Sequence, residues 1–334
     1  KQMKTISIVI ACYNEEGNVV PLADRIREIF KTELSQYNYQ ILFMDNDSKD
    51  HTKELIEHLC KEDPDHIAGI FNVHNFGSIR SSVYGLLNAT GDCVVKMCAD
   101  FQDPPELLID FVREWENGNK IVLGIKEGSQ ENRVMYSIRK LYYHMIRKIT
   151  DIEHIDNFVG YGLYDRQFIE IIRDLKDPMP YLRGIVAELG YKYKAIYYLQ
   201  PKRKSGKSKF NFLRLYDYAM LGITSYSKVP LRIATFSGGI VAVASVIIGI
   251  VYLIYKLMYW NKFDGGIAPI MIGVFFIGAV QLISIGLMGE YILNINTRVI
   301  NRPLVIEEKR FNLPNKLNEN GEIKSNEAVN NTCS

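Results

Sequence analysis

Two stretches of this 334-residue chain, Ile233 to Tyr255 and Gly265 to Gly289, contain no charged residue. Each exceeds the roughly 20 residues that a helix needs to cross the hydrocarbon core of a bilayer. They are therefore expected to form two transmembrane helices at about 233–255 and 265–289, rather than buried helices of a soluble core. Lys228 and Arg232 precede the first, Arg298, Arg302, Lys309 and Arg310 follow the second, and the connection carries only Lys256, Lys262 and Asp264. Positive residues on both outer flanks place both ends of the hairpin in the cytosol. The expectation is a multi-pass protein of the inner (plasma) membrane with its main domain cytosolic.

Everything before Arg232 is polar and mixed in charge, and a formal net charge of +2 says little about partners. The five cysteines (Cys12, Cys60, Cys93, Cys98, Cys333) are odd in number and lack C-x-x-C spacing, which argues against a disulfide framework or a structural zinc site. The apolar run Ile6 to Cys12 is too short for a secretory h-region. The end of the tail, rich in Asn, Glu and Lys beyond Phe311, is expected to be disordered.

Within the polar part, short β-branched runs alternate with helical patterns. Ile6 to Ala11 reads as a buried strand, and Leu22, Ile26 and Phe30 then recur every four residues, as on one face of a helix. The strand Tyr39 to Met44 precedes a helix carrying Leu55, Ile56 and Leu59. Ile67 to Val73 leads through His74-Asn75-Phe76-Gly77 into a helix with Ile79 and Val83. A fourth strand, Cys93 to Met97, is interrupted only by Lys96. Four such units imply a mainly parallel sheet with right-handed crossovers, and no G-x-G-x-x-G follows the first strand to mark a dinucleotide-binding domain. Further on, Ile121 to Ile125 reads as a strand, Arg133 to Ile149 as a basic helix, Phe158 to Tyr164 as extended, Gln167 to Leu175 as a helix and Tyr191 to Leu199 as a late strand.

Acidic clusters close the second and fourth strands: Asp45-Asn46-Asp47 and Cys98-Ala99-Asp100-Phe101-Gln102-Asp103. Ligands of open α/β sheets bind at the carboxyl ends of the strands, and grouped carboxylate and amide oxygens suit a hard cation, Mg²⁺ or Mn²⁺, that also holds phosphates. The plainer alternative is an acidic turn in which Asp103 caps the next helix and Pro104 opens it; Asp100 and Gln102 remain available either way. Pro201 to Phe210 holds five basic residues among Gly and Ser, a loop able to wrap an anion. It stands directly before the aromatic-rich stretch Phe212 to Tyr226, which reads as a helix lying in a membrane interface. The loop is thus expected to face lipid headgroups rather than nucleic acid.

Ala11-Cys12-Tyr13-Asn14-Glu15-Glu16, Asp45-Asn46-Asp47-Ser48-Lys49-Asp50, Asn75-Phe76-Gly77, Ala99-Asp100-Phe101-Gln102-Asp103-Pro104-Pro105 and Arg203 to Phe210 resemble, in order, the motifs of family 2 glycosyltransferases, and more narrowly those of polyprenyl-phosphate glycosyltransferases. The resemblance runs from about Thr5 to Arg302. It implies a GT-A fold, a mostly parallel α/β sheet flanked by helices: a catalytic domain at 1–200, the basic acceptor loop and interfacial helices at 201–231, the hairpin at 232–293 and a cytosolic tail at 294–334. It also implies a nucleotide-sugar donor, UDP-linked from the bacterial look of the chain, a divalent metal, a polyprenyl (undecaprenyl) phosphate acceptor in the bilayer, and self-association. Ala11, Tyr13, Asn14, Glu15, Asn75, Gly77 and Ala99 would line the nucleotide pocket, and Asp45 and Asp47 would hold base and ribose. Asp100 and Gln102 would engage the metal and diphosphate, and Arg203, Ser208 and Lys209 would grip the phosphates.

Two departures from the family pattern stand out. Cys98 replaces the first carboxylate of the usual Asp-Ala-Asp, and a thiol is a poor Mg²⁺ ligand. Gly160 stands where relatives carry an Asp proposed as base, with Asp156 four residues away as its candidate substitute. A phosphate monoester, with a second pKa of about 6, needs no base to become a nucleophile; it needs relief from repulsion by the donor diphosphate, which Arg203, Lys207 and Lys209 would supply. The expected reaction is a single inverting displacement. The alternatives are a processive polysaccharide synthase, for which Q-x-x-R-W is missing, and an inactive membrane-tethered scaffold that binds nucleotide-sugar.

Overall fold

The computed structural model describes residues 3–128, 155–201, 212–259 and 267–314. The expected basic helix at 133–149, the loop carrying Arg203, Ser208 and Lys209, the connection with Lys262 and Asp264, and the end of the tail lie outside the described residues.

Four strands follow one another in parallel with helices between them: β1 (Thr5–Cys12), β2 (Asn38–Asp45), β3 (Ile67–Asn72) and β4 (Cys93–Cys98). Four more complete the sheet among the described residues: β5 (Ile121–Gly128), β6 (Phe158–Asp165), β7 (Lys194–Leu199) and β8 (Glu307–Phe311). The spatial order is β7-β5-β6-β4-β1-β2-β3-β8. β6 runs antiparallel to β4 and β5, β8 runs antiparallel to β3, and every other pairing is parallel.

Both faces of the sheet are covered, which is why its central strands read as continuous apolar runs instead of alternating ones. Ile6, Ile8 and Ile10 of β1 face the helices Val19–Thr32, Thr52–Glu62 and Leu107–Glu116. Val9 faces the opposite layer, built from Ser78–Asn88, Arg166–Leu175 and Leu182–Glu188. Leu22, Ile26 and Phe30 lie on the buried stripe that their four-residue spacing predicts.

Three local expectations change. Asp103 caps no helix: the helix begins at Leu107 after Glu106, and the Asp103 carboxylate instead accepts from the Cys98 N–H at 3.0 Å. The late strand starts at Lys194 rather than Tyr191, because Gly190 turns the chain at φ +64° and the Tyr191 ring packs edge-on against Phe168. Residues 307–311, expected in a tail, form β8. Asn312 fastens its end by donating to the carbonyls of Cys60 and Ile67 at 2.7 and 2.8 Å, and Lys309 pairs with Glu57.

The helices Val229–Met258 and Ile267–Ile300 are long and apolar enough to cross a membrane, and both extend beyond the charge-free runs. Near its exit the second is tied to the rest of the chain. Asn294 donates to Thr224 at 3.0 Å, Tyr291 donates to the Ser227 carbonyl at 2.6 Å, and Arg298 pairs with Asp177 at 3.0 Å. The chain thus leaves the sheet domain, runs out along one apolar helix, returns along the other and rejoins the same sheet.

Gly85 permits the close approach of Ser78–Asn88 to the sheet, since a Cβ there would stand 2.5 Å from Val9 Cγ1 and 2.7 Å from Met44 Cγ. Gly85→Val is expected to lower stability by roughly 1–3 kcal/mol through overpacking, read as an earlier unfolding midpoint of the full chain in detergent.

Candidate active site

The parallel register sets the strand ends level. Cys12 pairs with Asp45 and Ala11 with Cys98, so the turns after β1, β2 and β4 leave the sheet side by side. Side chains of the second turn hold the backbone of the first. Asn14, at φ +56°, donates its N–H to Ser48 Oγ at 2.8 Å, and its side-chain oxygen accepts from the Lys49 N–H at 2.7 Å. The Glu15 N–H donates to Thr52 Oγ1 at 2.8 Å, and Glu16 accepts from the His51 N–H at 3.0 Å. Asn is one of the few residues besides Gly that adopt the left-handed backbone readily, and here its side chain is held across the turns by Lys49.

Asp45 is fully buried. One carboxylate oxygen accepts from the Ser48 N–H at 3.1 Å, while Oδ1 has no partner among the described residues. Burial raises its carboxyl above the ordinary range, opposed by hydrogen bonds from Ser48. An orphaned buried acceptor costs free energy unless a ligand donor satisfies it. Asp47, at φ +64°, is paired with Lys49 at 2.7 Å and Lys53 at 3.4 Å, and the Lys49 hydrogen bond holds its carboxyl below the ordinary value.

A network of three asparagines joins this turn to the one after β3. Asn46 Oδ1 accepts from Asn72 Nδ2 and from the Phe76 N–H, both at 3.0 Å, and Asn46 Nδ2 donates to Asn75 Oδ1 at 2.9 Å. Asn75 Oδ1 also accepts from the Gly77 N–H at 2.9 Å. Asn46 and Asn72 were not singled out from sequence. Asn46 sits between two aspartates that drew the attention, and Asn72 is an ordinary strand-end residue until its partners are visible.

Asp100 lies at the end of β4, 5% exposed, and accepts from the Gln102 N–H at 3.2 Å across Phe101, whose φ is +57°. Asp103 is turned inward between the Cys98 N–H and the Tyr198 hydroxyl, which donates at 3.2 Å. Burial raises the Asp103 carboxyl, opposed by the Lys96 ammonium. Cys98 opens onto the surface, yet crowding by protein atoms and the Asp103 charge push its thiol up to about 12, so it carries no charge at neutral pH.

The structure therefore brings Ala11, Tyr13, Asn14, Glu15, Asp45, Asp47, Asn75, Gly77, Asp100 and Gln102 to one edge of the sheet. The Ala99 side chain points into the core, leaving only its backbone for a ligand. Asp156 is half-buried in the turn before β6. The geometry is that of an open α/β sheet with its ligand edge lined by oxygen atoms and backbone turns.

The Glycosyl transferase family 2 model matches residues 7–172, a span that ends inside the helix Arg166–Leu175. The glycosyltransferase sll0501 of Synechocystis is 33% identical over 303 residues, covering 90% of this chain and 94% of its own. The SfII prophage-derived bactoprenol glucosyl transferase of Shigella flexneri is 33% identical, covering 91% and 97%. The glycosyltransferase YkcC of Bacillus subtilis is 30% identical, covering 93% and 95%. The chain belongs to glycosyl transferase family 2, and its sheet is the GT-A fold. Among solved structures, the mannosyltransferase PcManGT from Pyrobaculum calidifontis aligns over 90% of this chain and 89% of its own with 15% identity and a TM-score of 0.42.

Asn46→Ala removes the three contacts that join the turns after β2 and β3. It is expected to cost about 1–3 kcal/mol and to accelerate amide exchange at residues 72–78; exchange unchanged from wild type would refute the role given to Asn46.

Proposed function

We propose that this glycosyltransferase moves one sugar from a nucleotide-sugar, UDP-linked, to a polyprenyl phosphate at the cytosolic face of the membrane, with inversion at the anomeric carbon. The observation that carries the proposal is the pairing of two features. Two buried carboxylates, Asp45 at the end of β2 and Asp100 just after β4, flank β1 on the same edge of the sheet, and the apolar hairpin leaves and rejoins the sheet domain that bears them. A lipid acceptor would then be met on the membrane side of the donor. Relatives named bactoprenol glucosyl transferase, alignable over about nine-tenths of the chain, support this acceptor class.

In this scheme Asp45 Oδ1 accepts an N–H or O–H of the nucleoside. The turns at Tyr13 to Glu15 and Asn75 to Gly77 wall the nucleotide, and Asp47 meets the ribose. An oxygen of the acceptor phosphate attacks C1 of the sugar, the bond from C1 to the diphosphate oxygen breaks, and the nucleoside diphosphate leaves. Arg203, Ser208 and Lys209 are assigned to holding the phosphates, and Asp156 is the carboxylate assigned to any proton transfer.

Among the described residues no group of three or more His, Cys, Asp or Glu converges on one point, and Asp103 is committed to Cys98 and Tyr198. Asp100, with Gln102 beside it, is a hard-oxygen donor at this edge, which fits an ion held through one carboxylate and the substrate diphosphate. Mg²⁺ or Mn²⁺ bound there would neutralise charge on the departing diphosphate.

Full chain in detergent with labelled UDP-sugars, polyprenyl phosphate and Mn²⁺ should yield organic-extractable label. A growing polymer would point to a polysaccharide synthase, and nucleotide binding without transfer to a scaffold. Asp100→Ala should lower transfer by about 100-fold or more, and an unchanged rate would remove Asp100 from the site. Asp45→Asn should weaken nucleotide binding by roughly tenfold by replacing the acceptor oxygen; Lys209→Ala should raise the lipid KM more than the donor KM. Cys98→Asp should make activity more responsive to Mn²⁺ without loss, whereas an inactive variant would show that Cys98 is not a dispensable replacement.

A further inference from the structure

Lys96 is the only charged residue of β4, a strand that is otherwise apolar and central in the sheet. Its side chain runs toward the ligand edge and lies over Gly160 of β6. A Cβ at 160 would stand 3.1 Å from Lys96 Nζ, 3.7 Å from Cε and 4.0 Å from Cδ, the three nearest atoms among the described residues beyond its chain neighbours. The backbone of Gly160 is at φ +93°, a conformation that L side chains rarely adopt. A side chain at 160 would therefore crowd the ammonium, which would have to shift to make room.

Among the described residues the ammonium acts on Asp103 and Cys98 only through space. Asp103 gives its oxygens to the Cys98 N–H and the Tyr198 hydroxyl, and among the described residues it is not tied to Lys96 by a hydrogen bond or ion pair. Lys126 of β5 interacts electrostatically with Asp103, Cys98, Asp100 and Arg183, and burial pulls it below its ordinary value. Arg183, on the helix Leu182–Glu188, adds a third cation to the same surroundings. Among the described residues, three cations thus share these surroundings with Asp100 and Asp103, and Cys98 contributes no charge. An unpaired, partly buried cation is costly unless an anion completes it.

We infer that Lys96, half-buried over the bare backbone of Gly160 and backed by Lys126 and Arg183, is a phosphate-binding residue of this site. The inference rests on the glycosyltransferase function proposed above, and it deepens it: the place where a protein base would project is occupied by a cation that receives a phosphate oxyanion. The ligand is a phosphate of the donor diphosphate or the acceptor monophosphate. In either position the ammonium lowers repulsion between the two anionic reactants without taking a proton.

The test uses the detergent-solubilised full chain and three probes: inorganic pyrophosphate for the donor diphosphate, farnesyl monophosphate for the acceptor, and farnesol as the phosphate-free control. Lys96→Met is expected to weaken binding of one or both phosphate probes by roughly tenfold or more, with farnesol binding within about twofold of wild type by the same measure. Loss confined to farnesyl monophosphate assigns Lys96 to the acceptor, and loss confined to pyrophosphate assigns it to the donor. Lys96→Arg, which keeps the charge, should restore most of the lost affinity. Phosphate-probe affinities unchanged in Lys96→Met would overturn the inference. So would a parallel loss of farnesol binding with a lowered melting temperature in both variants, the signature of a buried structural counter-ion. Binding is read without catalysis, so a wild-type chain that binds phosphate through Lys96 but transfers no sugar to lipid would sink the proposed function and leave this inference standing. Transfer by Lys96→Met with wild-type KM values for donor and acceptor would do the reverse.

Discussion

The parallel pairing of β1 with both β2 and β4 is the constraint on which the rest of this molecule depends. Because Cys12 is level with Asp45 and Ala11 with Cys98, three turns leave the sheet together, and their side chains can complete one another. Asn14 and Glu15 offer backbone N–H groups that Ser48 and Thr52 accept, and Asn46 bridges to Asn72 and Phe76. A slip of one residue in either pairing would move Asp45 or Asp100 to the opposite face, since side chains alternate along a strand. The covered faces of the sheet oppose such a slip, because it would turn apolar side chains out of both core layers.

Burial at this edge has a free-energy cost. Asp45, Asp100 and Asp103 are almost completely removed from solvent, and carboxylates are seldom so buried unless they are paired. Asp103 is satisfied internally, whereas Asp45 keeps an acceptor without a partner among the described residues. Such local cost is expected where a ligand will complete the bonding, and a core without that task would be more stable with apolar residues. The cations nearby follow the same logic with the opposite sign.

Much of this was legible in the residues. Continuous β-branched runs ending in polar turns gave the four parallel strands, and the motif residues fell at their ends, because both signals arise from short-range pattern. What escaped depended on contacts distant in sequence. β8 is Glu-Glu-Lys-Arg-Phe, a polar edge strand whose pairing with β3 spans more than two hundred residues and leaves no periodic trace. Asp103 looked like a helix cap because Pro104 and Pro105 follow it; its actual partners, Cys98 N–H and Tyr198, come from two other strands. Lys96 was visible as an interruption in an apolar run, but nothing local could reveal that its tail would cross Gly160.

β8 also bears on how the two long apolar helices are anchored. The apolar helices are joined to the sheet domain at both ends, through the helix Phe212–Tyr226 on the way out and through Arg298, Asn312 and β8 on the way back. The most direct test of the central claim is the stoichiometry of the reaction in lipid nanodiscs holding the full chain, polyprenyl phosphate and an isotopically labelled UDP-sugar. The expected result is one nucleoside diphosphate released for each lipid phosphate that gains a single sugar mass, with the acceptor exhausted at the end point. Nucleotide release without a sugar-bearing lipid, or lipid products carrying two or more sugars from the outset, would contradict it.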